Sequence, residues 1–101
     1  MFKITSGHGF HIEFNNGVAL STQFGNYNYC ENRKMQANYS ESELQSCSNA
    51  EIGVWDKTGK WITKQMLIDT KIVLEPYDDV EGWVTVENWV KMVNWCNNYR
   101  G

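Results

Sequence analysis

Phe10-His11-Ile12-Glu13-Phe14-Asn15-Asn16-Gly17-Val18-Ala19-Leu20-Ser21-Thr22-Gln23-Phe24 decides how this chain folds. Phe10, Ile12 and Phe14 alternate with polar residues, and Val18, Leu20, Thr22 and Phe24 repeat the same two-residue period, as in a strand with one buried face. Between the two runs, Asn15-Asn16-Gly17 has the composition of a tight turn. A two-residue turn at Asn16-Gly17 would set Phe14 opposite Ala19 and Ile12 opposite Ser21, mixing the apolar and polar faces. A three-residue loop sets Phe14 opposite Val18, Ile12 opposite Leu20 and Phe10 opposite Thr22. The sequence therefore predicts a β-hairpin over about residues 8–24, closed by a type I turn with a left-handed Gly17 in a G1 bulge.

The same device recurs at about residues 50–63, where Lys57-Thr58-Gly59 closes a second hairpin with Val54 opposite Ile62 and Trp55 opposite Trp61. One face of this hairpin is aliphatic and the other aromatic. Beyond Thr63, Met66-Leu67-Ile68 and Lys71-Ile72-Val73-Leu74 read as a further strand pair or one bent strand, ended by Pro76, with a turn over residues 78–82. Thr85 is placed to cap a C-terminal amphipathic helix over about residues 86–99. Val86, Trp89, Val90, Val93 and Cys96 form one apolar stripe along it, and Met92, Trp95 and Tyr99 a second. Together the stripes are wider than one sheet needs, which implies a dimer contact or another packed loop, and a homodimer or larger homo-oligomer is expected. The expectation is a single α+β domain: a small antiparallel sheet built from two hairpins plus one or two further strands, packed with the C-terminal helix.

Bulk properties exclude several function classes. A net charge of −3 over 101 residues, with the basic residues scattered, lacks the basic stripe of a phosphate-backbone binder, so no nucleic acid partner is expected. No run approaches the ~18 apolar residues of a membrane span. Three cysteines without CxxC spacing fit a reduced, cytoplasmic protein.

Residues 23–33, QFGNYNYCENR, combine aromatic faces, amides and a guanidinium in a turn-prone segment directly after a strand. Such a mixture is poor core material and good contact material. The candidate ligand-binding residues are Gln23, Phe24, Tyr27, Asn28, Tyr29, Asn32, Arg33 and Trp55. In this reading Tyr27, Tyr29 and Trp55 stack on a planar group, Gln23, Asn28 and Asn32 read polar edges, and Arg33 meets phosphate. The same inventory suits a protein–protein hot spot. The connection over residues 25–49 is otherwise polar and holds at most a short helical turn near residues 40–44.

Catalysis has less support in the sequence. His8 and His11 are separated by an odd number of residues and face opposite ways on a regular strand, so no metal site is expected. Cys30 would need a depressed pKa and a histidine beside it to act as a nucleophile, and free cysteines are more often buried. No phosphate-loop, dinucleotide, serine-hydrolase or zincin motif occurs, so neither a cofactor nor an enzymatic role is expected.

QFGNYNYCENR, followed by AEIGVWDKTGKWIT and a Gly-Trp turn before the Trp-rich terminal helix, resembles a group of small accessory proteins of tailed bacteriophages. The resemblance spans most of the chain and implies a protein made in the host bacterial cytoplasm that acts on host functions. It points to an anti-defence protein acting by binding. The leading expectation is sequestration of a small nucleotide-type immune signal. The alternatives are an inhibitor that docks on a host defence protein, such as a CRISPR effector or a nuclease, and a small signal-degrading enzyme using His11, Cys30 or a carboxylate.

Overall fold

The computed structural model describes residues 1–5, 8–34 and 46–101, so the expected helical turn near residues 40–44 lies outside the described residues. Five strands, β1 (Phe2–Thr5), β2 (Gly9–Glu13), β3 (Ala19–Gln23), β4 (Asn49–Trp55) and β5 (Val80–Thr85), form one antiparallel sheet in sequential order. Among the described residues, two α-helices, α1 (Thr63–Asp69) and α2 (Val86–Asn98), and a 3-10 turn over Glu31–Lys34 complete the α+β fold.

The first hairpin has the expected register, with Ile12 opposite Leu20 and Phe10 opposite Thr22. Phe14 N–H donates to the Val18 carbonyl at 2.8 Å, and Gly17 N–H to the Phe14 carbonyl at 2.9 Å. Gly17 lies at φ +85°, a conformation that glycine adopts without steric cost. Asn16 does more than form the turn. Its Oδ1 accepts from Val18 N–H, while its Nδ2 donates to the carbonyls of Cys96 and Tyr99 at 2.8 and 3.1 Å. The turn thereby caps the C-terminus of α2, whose last carbonyls have no partner within the helix.

The second hairpin turns as expected and then stops. Trp55 pairs with Trp61, Asp56 N–H donates to the Lys60 carbonyl, and Gly59 takes φ +88°. After Ile62 N–H has bonded the Val54 carbonyl at 2.9 Å, the chain enters α1. The strand expected around residues 66–68 is therefore a helix. Thr63, Met66 and Leu67 are buried while Lys64, Gln65 and Ile68 are exposed, which is helical rather than alternating burial. Thr63 Oγ1 replaces the missing strand, accepting from Val54 N–H at 2.9 Å and donating to its carbonyl at 3.3 Å.

Residues 71–74 form no strand either: Lys71, at φ +61°, ends α1, and the chain runs irregularly to Asp79. The turn expected over residues 78–82 is confined to its first residues, because β5 already begins at Val80. A β-bulge disguises that strand in the sequence. Ala50 pairs with Val84 and Ile52 with Glu81, so Gly82 and Trp83 both stand against Glu51 and the alternation is lost.

Thr85 caps α2 as expected, its Oγ1 accepting from Asn88 N–H at 3.3 Å. The helix is rotated from the expected phase. Met92 and Cys96 are fully buried, Trp89, Val93, Trp95 and Tyr99 pack around the core, and Val86 and Val90 remain exposed. Trp95 Nε1–H donates to Asp69 Oδ2 at 3.0 Å and ties α2 to α1. The second stripe of Met92, Trp95 and Tyr99 thus packs within the chain, which removes the ground on which it was assigned to a dimer contact.

Leu20, Ile52, Val54, Met66, Leu67 and Met92 make the center of the core, each fully buried between one face of the sheet and the two helices. Burying side chains of this size contributes about 1.5–3 kcal/mol apiece. The helices cover this face of the sheet alone. Its other face carries the candidate site.

Candidate functional site

Strand alternation sends Ala19, Ser21 and Gln23 of β3, Glu51, Gly53 and Trp55 of β4, and His11 of β2 to the face opposite the core. Small residues lie at its center, where Ser21 pairs with Gly53. Trp61 lies across them. A Cβ at Gly53 would stand 2.8 Å from a Trp61 ring carbon, so the glycine leaves the space the indole occupies. Trp61 meets Trp55 edge-on with centroids 5.3 Å apart, and Trp55 meets His11 in the same manner at 5.0 Å.

The loop after β3 brings up a second aromatic cluster. Tyr29 and Trp83 lie with centroids 5.9 Å apart at a 31° tilt, and the Arg33 guanidinium sits 4.6 Å above the Tyr29 ring. Trp83 occupies the β5 bulge at φ +50°, a left-handed conformation that is rare for a bulky residue. Its N–H donates to the Tyr29 carbonyl at 2.8 Å, and Gly82 allows the approach, since a Cβ there would fall 2.7 Å from Tyr29 Cβ. Strained backbone of this kind persists where its surroundings hold it, and it gathers at functional sites. Tyr29, Trp61 and Trp83 remain 41%, 46% and 49% exposed, too much for rings recruited only to fill a core.

The eight candidate residues do not converge on one pocket. Gln23 Nε2 donates to Thr5 Oγ1 at 2.6 Å and Ser21 Oγ at 3.2 Å. Asn28 Oδ1 accepts from Gly25 N–H and its Nδ2 donates to Glu51, which also accepts from Tyr29 N–H. Asn32 is buried, with Nδ2 donating to the carbonyls of Phe24 at 2.7 Å and Ser46 at 3.0 Å. Asn28 and Asn32 frame the loop, while Gln23 ties β3 to β1. Phe24 turns to the helix side, where it lines an apolar cavity of about 320 Å³ with Phe10, Val84 and Trp89. Tyr29 and Arg33 stay together, Arg33 Nη1 donates to the carbonyl of the strongly exposed Tyr27, and Trp55 belongs to the neighboring cluster. Trp61 and Trp83, which the sequence reading left unassigned, are the most prominent rings of this face. Their signal was the pairing of Trp61 with Trp55 and the Gly82-Trp83 step.

Cys30 is buried, its Sγ donates to the Gly25 carbonyl at 3.5 Å, and burial pushes its thiol up to about 11. A nucleophilic cysteine needs the opposite shift. Among the described residues no group of three or more His, Cys, Asp or Glu side chains is arranged to hold a metal ion. No described helix is long and apolar enough to cross a membrane. Comparison with protein-family models, curated proteins and solved structures gave no match.

Proposed function

We propose that this chain is a non-catalytic binding protein that docks on a protein partner through the aromatic face of its sheet that the two helices leave open. The observation that carries the reading is the band of half-exposed rings, Trp61, Trp83 and Tyr29, on a face left bare by the helices. Trp, Tyr and Arg dominate protein–protein hot spots, and rings fixed by backbone pairing lose little entropy on docking. The resemblance to phage accessory proteins supports a host defence protein as the partner and the host cytoplasm as the place of action. Capture from bacterial lysate with the parent and with Trp61→Ala/Trp83→Ala tests it. One stoichiometric protein retained by the parent and lost by the double variant supports docking, whereas equal retention overturns it.

A second reading, sequestration of a nucleotide-type signal, is favored by the Arg33–Tyr29–Trp83 arrangement, which sets a guanidinium beside stacked rings. The amides expected to read base edges are already engaged within the chain. Native mass spectrometry of protein purified from defence-active cells separates the two readings, since a bound nucleotide adds a small mass that denaturation removes.

A further inference from the structure

Tyr29, β5 and the irregular segment over residues 73–79 enclose a cleft of about 500 Å³ beside Trp83. Tyr29, Trp83 and Pro76 supply ring walls, Tyr77 being almost fully exposed, and the charged groups among the described lining residues are the carboxylates of Glu75, Asp78 and Glu81. No described lining residue is basic. The Glu81 carboxylate has no hydrogen-bond or ion-pair partner among the described residues. Burial alone holds its pKa above the ordinary value. An anion losing hydration without a partner is stabilised by any cation that enters.

Resting on the docking reading above, we infer that this cleft takes an arginine side chain presented by a basic segment of the partner protein. Rings and carboxylates in one concavity complement a guanidinium in two ways: its plane stacks on an aromatic face, and its N–H groups pair with carboxylate oxygens. The chain makes the first of these contacts internally, where Arg33 lies over Tyr29. Three carboxylates beside Tyr29 and Trp83 repel phosphate, which weighs against the nucleotide reading at the adjoining Arg33–Tyr29–Trp83 cluster.

The test is an amide-resolved NMR titration of the intact protein with the peptide acetyl-Gly-Arg-Gly-Arg-Gly-amide, its Glu-containing counterpart and guanidinium chloride. The arginine peptide is expected to give saturable shifts at residues 80–83 and at the Trp83 indole, at least tenfold weaker in Asp78→Asn/Glu81→Gln, with no response to the Glu peptide. A dispersed spectrum of that variant confirms that it is folded. Absence of saturable shifts at residues 80–83, or an equal response to the Glu peptide, overturns the inference. So does guanidinium chloride binding as tightly as the peptide, which would mark a small-cation site. Shifts confined to Trp55 and Trp61 overturn the arginine assignment while leaving the docking face standing. That face fails on its own if the double tryptophan variant retains the captured partner.

Discussion

Trp83 concentrates two opposed effects in one residue. A left-handed backbone costs a non-glycine residue roughly 1–2 kcal/mol, while an aromatic pair contributes about 0.5–1.5 kcal/mol beyond its burial. Trp83→Gly relieves the first and forfeits the second. With the indole's half burial also lost, urea unfolding should fall by about 1–3 kcal/mol, whereas partner retention is lost. A much larger loss of stability would assign the indole to the fold and not to the surface. Glu81 gives a pH-dependent test at the same scale. Its folded pKa is raised by burial, so its contribution to stability is fully present below the unfolded value and is lost as pH rises through the folded one. Gln mimics the protonated acid. Glu81→Gln should melt at or above the parent at pH 7, and the two should converge below about pH 4. A variant less stable at neutral pH would mean that the carboxylate is held by a cation.

Elements were legible where one physical signal dominated. Alternation and loop parity gave the register of the first hairpin, and Thr85 marked the start of α2. The failures have causes of their own. Met66-Leu67-Ile68 is a short apolar run whose period fits either strand or helix, and the bulge at Gly82-Trp83 breaks the alternation that would have revealed β5. At β1, Phe2 and Ile4 did alternate with polar residues, yet four residues are a weak signal. Of the candidate site, the Tyr29–Arg33 neighborhood was readable from composition. The roles of Asn28 and Asn32 as loop frame and of Gln23 as a tie to β1 were not, because an amide's partner is fixed only by the fold.

Hydrogen bonds from Asn16 and Thr63 are among those that join separate elements. Asn16 holds two carbonyls at the end of α2, so Asn16→Ala should cost about 1–2 kcal/mol in urea unfolding, from partly buried hydrogen bonds lost. Thr63→Val preserves shape but leaves Val54 N–H without its acceptor, and a loss of similar size is expected. An unchanged unfolding midpoint in either variant would show that water replaces the bond.

The molecule as a whole is asymmetric: helices and core on one side of the sheet, aromatic rings on the other, and a carboxylate-lined cleft at the β5 edge. The helix side has its own apolar rim in Phe2, Ile4, Val86 and Val90, all exposed, which competes with the open face as a place for a partner. Two features favor the open face. Its rings are anchored by backbone pairing at Trp55–Trp61 and by the Trp83–Tyr29 hydrogen bond, and it combines them with charge. Hydrogen–deuterium exchange on the complex with the captured partner distinguishes the two sides most directly. Protection gained at residues 27–33, 55–61 and 80–83 is the predicted result, and protection gained instead at residues 2–4 and 86–93 would contradict the assignment of the docking face.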